Sequence, residues 1–151
     1  MNTYLKKFIA FINLSSEYGK KLISVSQQMK KGKDKFYIHP IYKNNKLYGI
    51  NVEYDSLPGD TILKLKVFDV VITKLLNSEN NILKKGNAQK KGVKLGNKDL
   101  DKNTLENHVA FECYNKSEGS VFRRMPVIAN ILSEAGICEN IRSGSKLKLI
   151  P

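Results

Sequence analysis

Residues 126–136 are the part of the sequence that most constrains the fold. Pro126 suits the first position of a helix because its missing N–H is one that a helix start leaves unpaired. Gly136 is a natural helix stop. Between them, apolar residues recur at helical spacing on one face, at Ile128, Ile131, Leu132 and Ala135. The pattern therefore predicts an amphipathic helix that packs against the rest of the chain.

The sequence on either side of this helix predicts another helix before it and two strands after it. Asn103 and Glu106 have the spacing of a capping box, and a helix with one apolar face follows. Residues 115–119 favour a turn. After Gly136 come a short run over residues 137–141, a turn at 143–145 and an alternating strand over 146–150.

The first half of the chain predicts a helical part and a hairpin. Residues 4–29 read as helical in one or two pieces, the second beginning near Ser15, and the apolar face fits either the core or a dimer contact. Residues 36–54 predict a β-hairpin turning at Asn44-Asn45, with Pro40 marking an edge or a bulge. Residues 61–77 change from strand-like alternation to helical spacing.

These elements predict a single α+β domain. It has a basic helical part (1–35), a hairpin plus helix (36–83), a basic loop (84–103) and a C-terminal part (104–151). A hydrophobic fraction of 41% argues against a wholly disordered chain. The apolar runs are far shorter than the roughly 20 residues that a membrane helix needs, so no membrane partner is expected.

Positive charge is concentrated in two segments. The 151 residues carry 26 Lys and Arg against 14 Asp and Glu, a formal net charge of +12. Residues 1–35 hold eight lysines and two acidic residues, and residues 84–103 hold seven lysines and two acidic residues. A surplus of this size bears on partners rather than on fold, and it favours nucleic-acid phosphates. The alternative is a basic adaptor that binds an acidic protein.

Residues 104–150 combine a helix, a turn, a second helix ending at Ala135-Gly136-Ile137, and a strand pair around a basic turn. In this order the segment, about a third of the chain, resembles the winged helix-turn-helix superfamily of DNA-binding proteins. The resemblance implies that the second helix enters the major groove of duplex DNA and that the strand pair, the wing, contacts the backbone or the minor groove. The implied role is transcription regulation, or DNA binding within a larger complex.

The resemblance also implies, by position, which side chains contact DNA. They are Ser120, Arg123, Arg124 and Asn130, with Arg142, Lys146 and Lys148 on the wing. Arginine suits guanine and asparagine suits adenine. Pro126 leaves open whether the two arginines lie on the helix or in the turn before it. The glycine-rich basic loop adds five predicted phosphate contacts, Lys84, Lys85, Lys90, Lys91 and Lys94.

Two other nucleic-acid functions stay open. A Mg²⁺-dependent nuclease would use Glu53, Asp55 and Asp60, since carboxylates can hold the metal. RNA binding would use the aromatic residues of the hairpin for stacking. Otherwise we predict no catalytic residue, no metal site and no cofactor.

The two cysteines, Cys113 and Cys138, do not have the spacing of a zinc site. His108 lies five residues before Cys113, which does not place the two on one helical face. Without a secretory signal pattern, both cysteines are expected to be reduced core residues of a cytoplasmic protein.

Overall fold

The computed structural model describes residues 1–18, 21–23, 35–54, 61–87, 92–121 and 124–151. These residues form an α+β fold with four α-helices and two antiparallel sheets, so the α+β part of the fold prediction is confirmed. The chain divides into two compact units, Met1–Lys66 and Val67–Pro151. Each unit carries one of the two sheets.

The first unit joins one helix to a four-stranded sheet. Its elements are helix α1 (Thr3–Tyr18) and strands β1 (Lys21–Ile23), β2 (Lys35–Lys43), β3 (Lys46–Tyr54) and β4 (Thr61–Lys64). The strands pair in sequence order, each antiparallel to the next. Helix α2 (Leu65–Leu76) begins at the residue after β4, as the change of spacing in this segment predicts.

Strands β2 and β3 form the predicted hairpin. Asn44 and Asn45 make its two-residue turn with φ of 52° and 61°, the left-handed values that a type I′ turn requires. The described pairs between β1 and β2 involve residues 35–37 of β2 and do not reach Pro40. The register between β2 and β3 shifts between Ile41 and Tyr42. The expected turn is confirmed. Pro40, predicted to mark an edge or a bulge, pairs in register with Ile50, and the irregularity follows Ile41.

The apolar face of α1 belongs to the core of the chain. Leu5, Phe8 and Ile12 recur at helical spacing and are buried. Helix α1 contacts β2, and Tyr42 Oη donates to Asn13 Oδ1 at 2.7 Å. Of the two uses that the sequence leaves open for this face, the structure supports core packing.

The N-terminal helix is shorter than predicted. Ser15 lies inside α1 rather than at the start of a second helix, and residues 21–23 form strand β1. Leu22 pairs with Phe36 on β2. The helical prediction is therefore wrong for residues 21–23, because a partner strand farther along the chain supplies their backbone hydrogen bonds. Residues 24–30 lie outside the described residues.

The second unit carries the other helices and a three-stranded antiparallel sheet. After α2 come strand β5 (Ile82–Lys84), helices α3 (Leu105–Tyr114) and α4 (Met125–Glu134), and strands β6 (Cys138–Ile141) and β7 (Lys146–Leu149). Strand β7 lies between β5 and β6. Short 3-10 turns form at Glu79–Asn81 and Lys98–Leu100. The basic loop predicted from Lys84 is thus partly wrong, because Lys84 ends a strand.

Helix α4 has the bounds that Pro126 and Gly136 predict. The Gly136 N–H donates to the Ser133 carbonyl, and the Ile137 N–H to the Leu132 carbonyl, both at 3.0 Å. With Gly136 at φ 71°, this is the Schellman arrangement that ends a helix. Seven of the ten residues of α4 are buried, so this helix forms much of the core of the second unit.

A buried carboxylate caps the other end of α4. Glu106 is 1% exposed, and its Oε1 and Oε2 accept from the backbone N–H groups of Arg124 at 3.3 Å and Met125 at 3.0 Å. The Glu106 N–H in turn donates to the Lys85 carbonyl at 2.9 Å. One residue therefore connects the starts of α3 and α4 with the end of β5.

The capping box predicted for α3 is wrong in its partners. The N-cap is Thr104, whose Oγ1 accepts from the Asn107 N–H at 3.3 Å. The Asn103 N–H donates to Asp101 Oδ1 at 2.8 Å. The Glu106 side chain is therefore left to cap a different helix.

The close approach of β3 and β4 gives a stability prediction for the first unit. A Cβ on Gly49 would lie 2.6 Å from the Leu63 carbonyl oxygen and 2.9 Å from Lys64 Cα. Since backbone cannot swing away, we expect Gly49→Ala to lower the free energy of unfolding by about 1–3 kcal/mol. Urea unfolding followed by circular dichroism measures this. Lys46→Ala, at an exposed position of the same strand, is the control; equal unfolding midpoints for the two variants would contradict the clash.

The cap on α4 gives a second prediction. Glu106→Ala leaves the buried Met125 N–H without its acceptor, and we expect a loss of about 2–4 kcal/mol in the free energy of unfolding. Glu106→Gln keeps the shape and one acceptor oxygen, so its loss should be about half as large. The same urea experiment separates them. Equal losses for alanine and glutamine would show that the carboxylate does not act as the cap.

Candidate nucleic-acid interface

The residues predicted to contact nucleic acid lie on several elements of the second unit. Lys84 and Lys94 are exposed, the first at the end of β5 and the second in the segment before the 98–100 turn. Lys90, Lys91 and Arg123 lie outside the described residues, so their contacts stay predictions.

The turn between β6 and β7 is short and basic. The Ser145 N–H donates to the Arg142 carbonyl at 3.0 Å, which closes the turn. Gly144 and Ser145 take left-handed φ values of 79° and 51°. The Ser145 carbonyl accepts from the Lys85 N–H at 2.8 Å, so the turn is tied to the end of β5. Arg142 is exposed on this supported turn.

Lysines line one face of the three-stranded sheet. Leu147 and Leu149 are buried, so the alternate residues of β7, Lys146 and Lys148, lie on its opposite, partly exposed face. Lys84 on β5 pairs directly with Lys146. The structure thus brings Lys84 beside Lys146 and Lys148, which lie more than 60 residues later in the sequence.

Two of the predicted DNA contacts, Lys85 and Asn130, belong to a hydrogen-bond network within the second unit. Lys85 Nζ donates to Asn140 Oδ1 at 2.5 Å, and Asn140 Nδ2 donates to Asn130 Oδ1 at 3.4 Å. Asn130 is 1% exposed. The expected Asn130 contact with a base is therefore wrong, since this side chain lies in the core and serves to join α4 to β6.

Helix α4 differs from the exposed recognition helix of a sequence-specific DNA-binding protein. It contains no basic residue. Pro126 and Ser133 are partly exposed, and the exposed residue at its end is Glu134, whose charge repels phosphate. In this structure α4 does not present the row of polar side chains with which a helix reads base edges.

Arg124 lies in the turn before α4 rather than on the helix, which is one of the two placements left open. Its guanidinium Cζ lies 3.8 Å from the centroid of the Tyr114 ring, a cation–π contact. Phe111, one turn earlier on α3, is 59% exposed, and Tyr114 is 38% exposed. The exposure of Phe111 and Tyr114 was not predicted from the sequence. The available signal was that Phe111 falls outside the apolar stripe of α3.

Ser120 lies in the exposed segment between α3 and α4. Its backbone carbonyl accepts a hydrogen bond from Lys116 Nζ. The contact places the Lys116 ammonium group, which was not predicted to contact DNA, beside Ser120, which was. Lys116 and Ser120 are both exposed.

Neither the cysteines nor the carboxylates form a described catalytic site. Within the described ranges, no group of three or more His, Cys, Asp and Glu side chains could hold a metal ion. Burial raises the pKa of the Cys138 thiol to about 12, so it stays protonated. Cys113, expected in the core, is partly exposed. Asp55, Asp60 and the side chain of Glu53 lie outside the described residues, so the nuclease set stays a prediction.

No described helix is both long and apolar enough to cross a bilayer. No protein-family model, curated protein or solved structure significantly matches the chain. What the second unit does must therefore be argued from its own surface.

His108 on α3 gives a pH prediction. Its pKa is lowered from the ordinary 6.5, first by burial and then by the charge of Lys74, against the opposing charges of Glu112 and Asp101. The unfolded chain therefore binds a proton at a higher pH than the folded protein does. Stability from this group is complete above pH 6.5 and falls as the pH drops below that value.

We expect the unfolding midpoint of the protein to fall between pH 7 and pH 5, and His108→Gln to flatten part of that fall. Thermal unfolding followed by circular dichroism across this range measures it. His39→Gln, at the exposed histidine of the first unit, is the matched control. If the two variants show the same pH dependence, burial of His108 does not drive the fall.

Proposed function

We propose that the second unit is a winged-helix domain that binds duplex DNA through its backbone phosphates. In the proposed complex the basic face of the sheet and the turn at Arg142 approach the duplex. Helix α4 supports that surface from the core. The observation that carries the proposal is the set of three lysines on one sheet face with an exposed arginine at its end.

The order of elements supports the winged-helix part of the proposal. Helix α3, a turn, helix α4 and the β6–β7 hairpin follow one another as the resemblance implies. Strand β5 adds a third strand on the far side of β7. The basic turn of residues 142–145 would be the wing.

The burial of α4 favours phosphate contact over base reading. Phosphate contacts position a protein on a duplex without selecting a sequence, whereas base-edge contacts select the sequence. Lysine is a flexible point charge suited to the first task. We therefore expect weak sequence preference, and a role as the DNA-binding component of a larger cytoplasmic complex more than as a site-specific regulator of transcription.

The first test is a titration of random-sequence duplex DNA at two salt concentrations, beside single-stranded RNA of equal length. We expect duplex affinity to fall steeply with salt. The double variant Arg142→Gln/Lys148→Gln should weaken it and reduce the logarithmic salt slope by about 0.9 for each phosphate that the protein no longer neutralises. Lys102→Gln removes an exposed charge elsewhere on the unit and is the control.

Other outcomes would replace the proposal. Preference for the RNA would move the interface to exposed aromatic residues such as Phe111, since stacking on single strands tolerates any base. No binding to either nucleic acid near physiological salt would favour an acidic protein partner. If the double variant loses only twice as much binding free energy as Lys102→Gln, in proportion to the charges removed, net charge alone acts.

A further inference from the structure

Lys84 and Lys146 face each other across β5 and β7. The Lys85 N–H donates to the Ser145 carbonyl at 2.8 Å, one residue beyond the pair on each strand. Lys84 and Lys146 therefore form a non-hydrogen-bonded pair, in which Cα atoms are only about 4.5 Å apart and side chains are closest. Two like charges at such a position repel each other.

The neighbouring row of the same sheet shows the contrast. Lys148 pairs with Glu139 on β6 and with Ile82 on β5, so it has an acidic residue directly across from it. Lys146 pairs with Ile141 on β6, which offers no charge. Within the described part of the chain, no salt bridge is formed by Lys84 or Lys146. The pair is therefore placed to hold an anion from outside the protein.

Both lysines line one cleft of the second unit. The cleft has a volume of about 460 Å³ and lies between the Glu79–Asn81 turn, strand β5 and the residues that precede α3. That volume falls within the range of about 300–1,000 Å³ of small-molecule sites. Ile82 and Leu83 supply apolar surface in it. The cleft thus joins a doubly positive corner to an apolar wall.

The rest of the lining favours a ligand with one charged end. Glu79 and Asp101 line the same cleft, together with Asn80 and Asn103. Asp101 is held in place, since its Oδ1 accepts from the Asn103 N–H at 2.8 Å. Carboxylates repel a second anionic group but accept hydrogen bonds from hydroxyl and amino groups. A polyphosphate is disfavoured, and a phosphate monoester with a neutral hydrogen-bonding end fits.

We propose that this cleft binds a nucleoside monophosphate, with the phosphate between Lys84 and Lys146 and the nucleoside against Ile82 and the acidic side. The phosphate monoester can belong to a free mononucleotide or to the phosphorylated end of a nucleic-acid strand. The site does not depend on duplex binding by the sheet, since a terminal or free monophosphate is a different ligand from an internal phosphodiester.

The test is calorimetric titration with adenosine 5′-monophosphate, adenosine, inorganic pyrophosphate, and a short single-stranded DNA with and without a 5′-phosphate. We expect the monophosphate to bind more tightly than adenosine or pyrophosphate. Lys84→Gln and Lys146→Gln should each weaken it about tenfold, the usual scale for losing one charge-assisted hydrogen bond. Lys98→Gln, at an exposed lysine of the second unit that does not line the cleft, should change it less than twofold.

The oligonucleotide arms separate the two sources. Preference for the 5′-phosphorylated strand over adenosine 5′-monophosphate assigns the site to strand ends, and the reverse assigns it to free nucleotides. Unliganded Lys84→Gln should melt at the same or a higher temperature, because it relieves repulsion, which shows that weaker binding is not unfolding. The proposal is overturned if no monophosphate binds, or if Lys98→Gln weakens binding as much as the cleft variants.

Discussion

The arrangement of the second unit depends on a buried carboxylate at the start of a buried helix. Glu106 accepts the first free N–H groups of α4 and gives its own N–H to the end of β5. A helix start that is buried without such a partner leaves several donors unsatisfied. The anionic side chain also lies at the positive end of the helix dipole. The hydrogen bonds of this one residue fix the positions of α3, α4 and the end of β5 relative to one another.

That anchoring limits which polar groups the second unit can present to a partner. With α4 in the core and Asn130 bonded to Asn140, the exposed or half-exposed basic groups named above come from the sheet and the turns. Lysines on strands point where the pleat directs them, at a fixed spacing and with flexible ends. Such a surface is suited to charged groups whose positions repeat or vary, and less to reading a particular base.

The local patterns of the sequence predict local structure well. The Asn44-Asn45 turn and the helix between Pro126 and Gly136 are each specified by a few adjacent residues, and both are confirmed. Strands β1 and β5 could not be predicted, because their partners lie far along the chain. The same holds for the candidate site. Nothing near Lys84 indicates that it faces Lys146, and nothing near Asn130 reveals the amide that satisfies it. The single-domain prediction stays a prediction.

The burial of Cys138 in β6 has a practical consequence. Cys138 is 1% exposed and its thiol stays protonated, whereas Cys113 on α3 is partly exposed. A thiol reagent should therefore label Cys113 in the native protein and reach Cys138 only when the sheet opens. The rate at which Cys138 is modified therefore measures how often the second unit opens. It reports that motion without an engineered labelling site, in a chain that has no tryptophan.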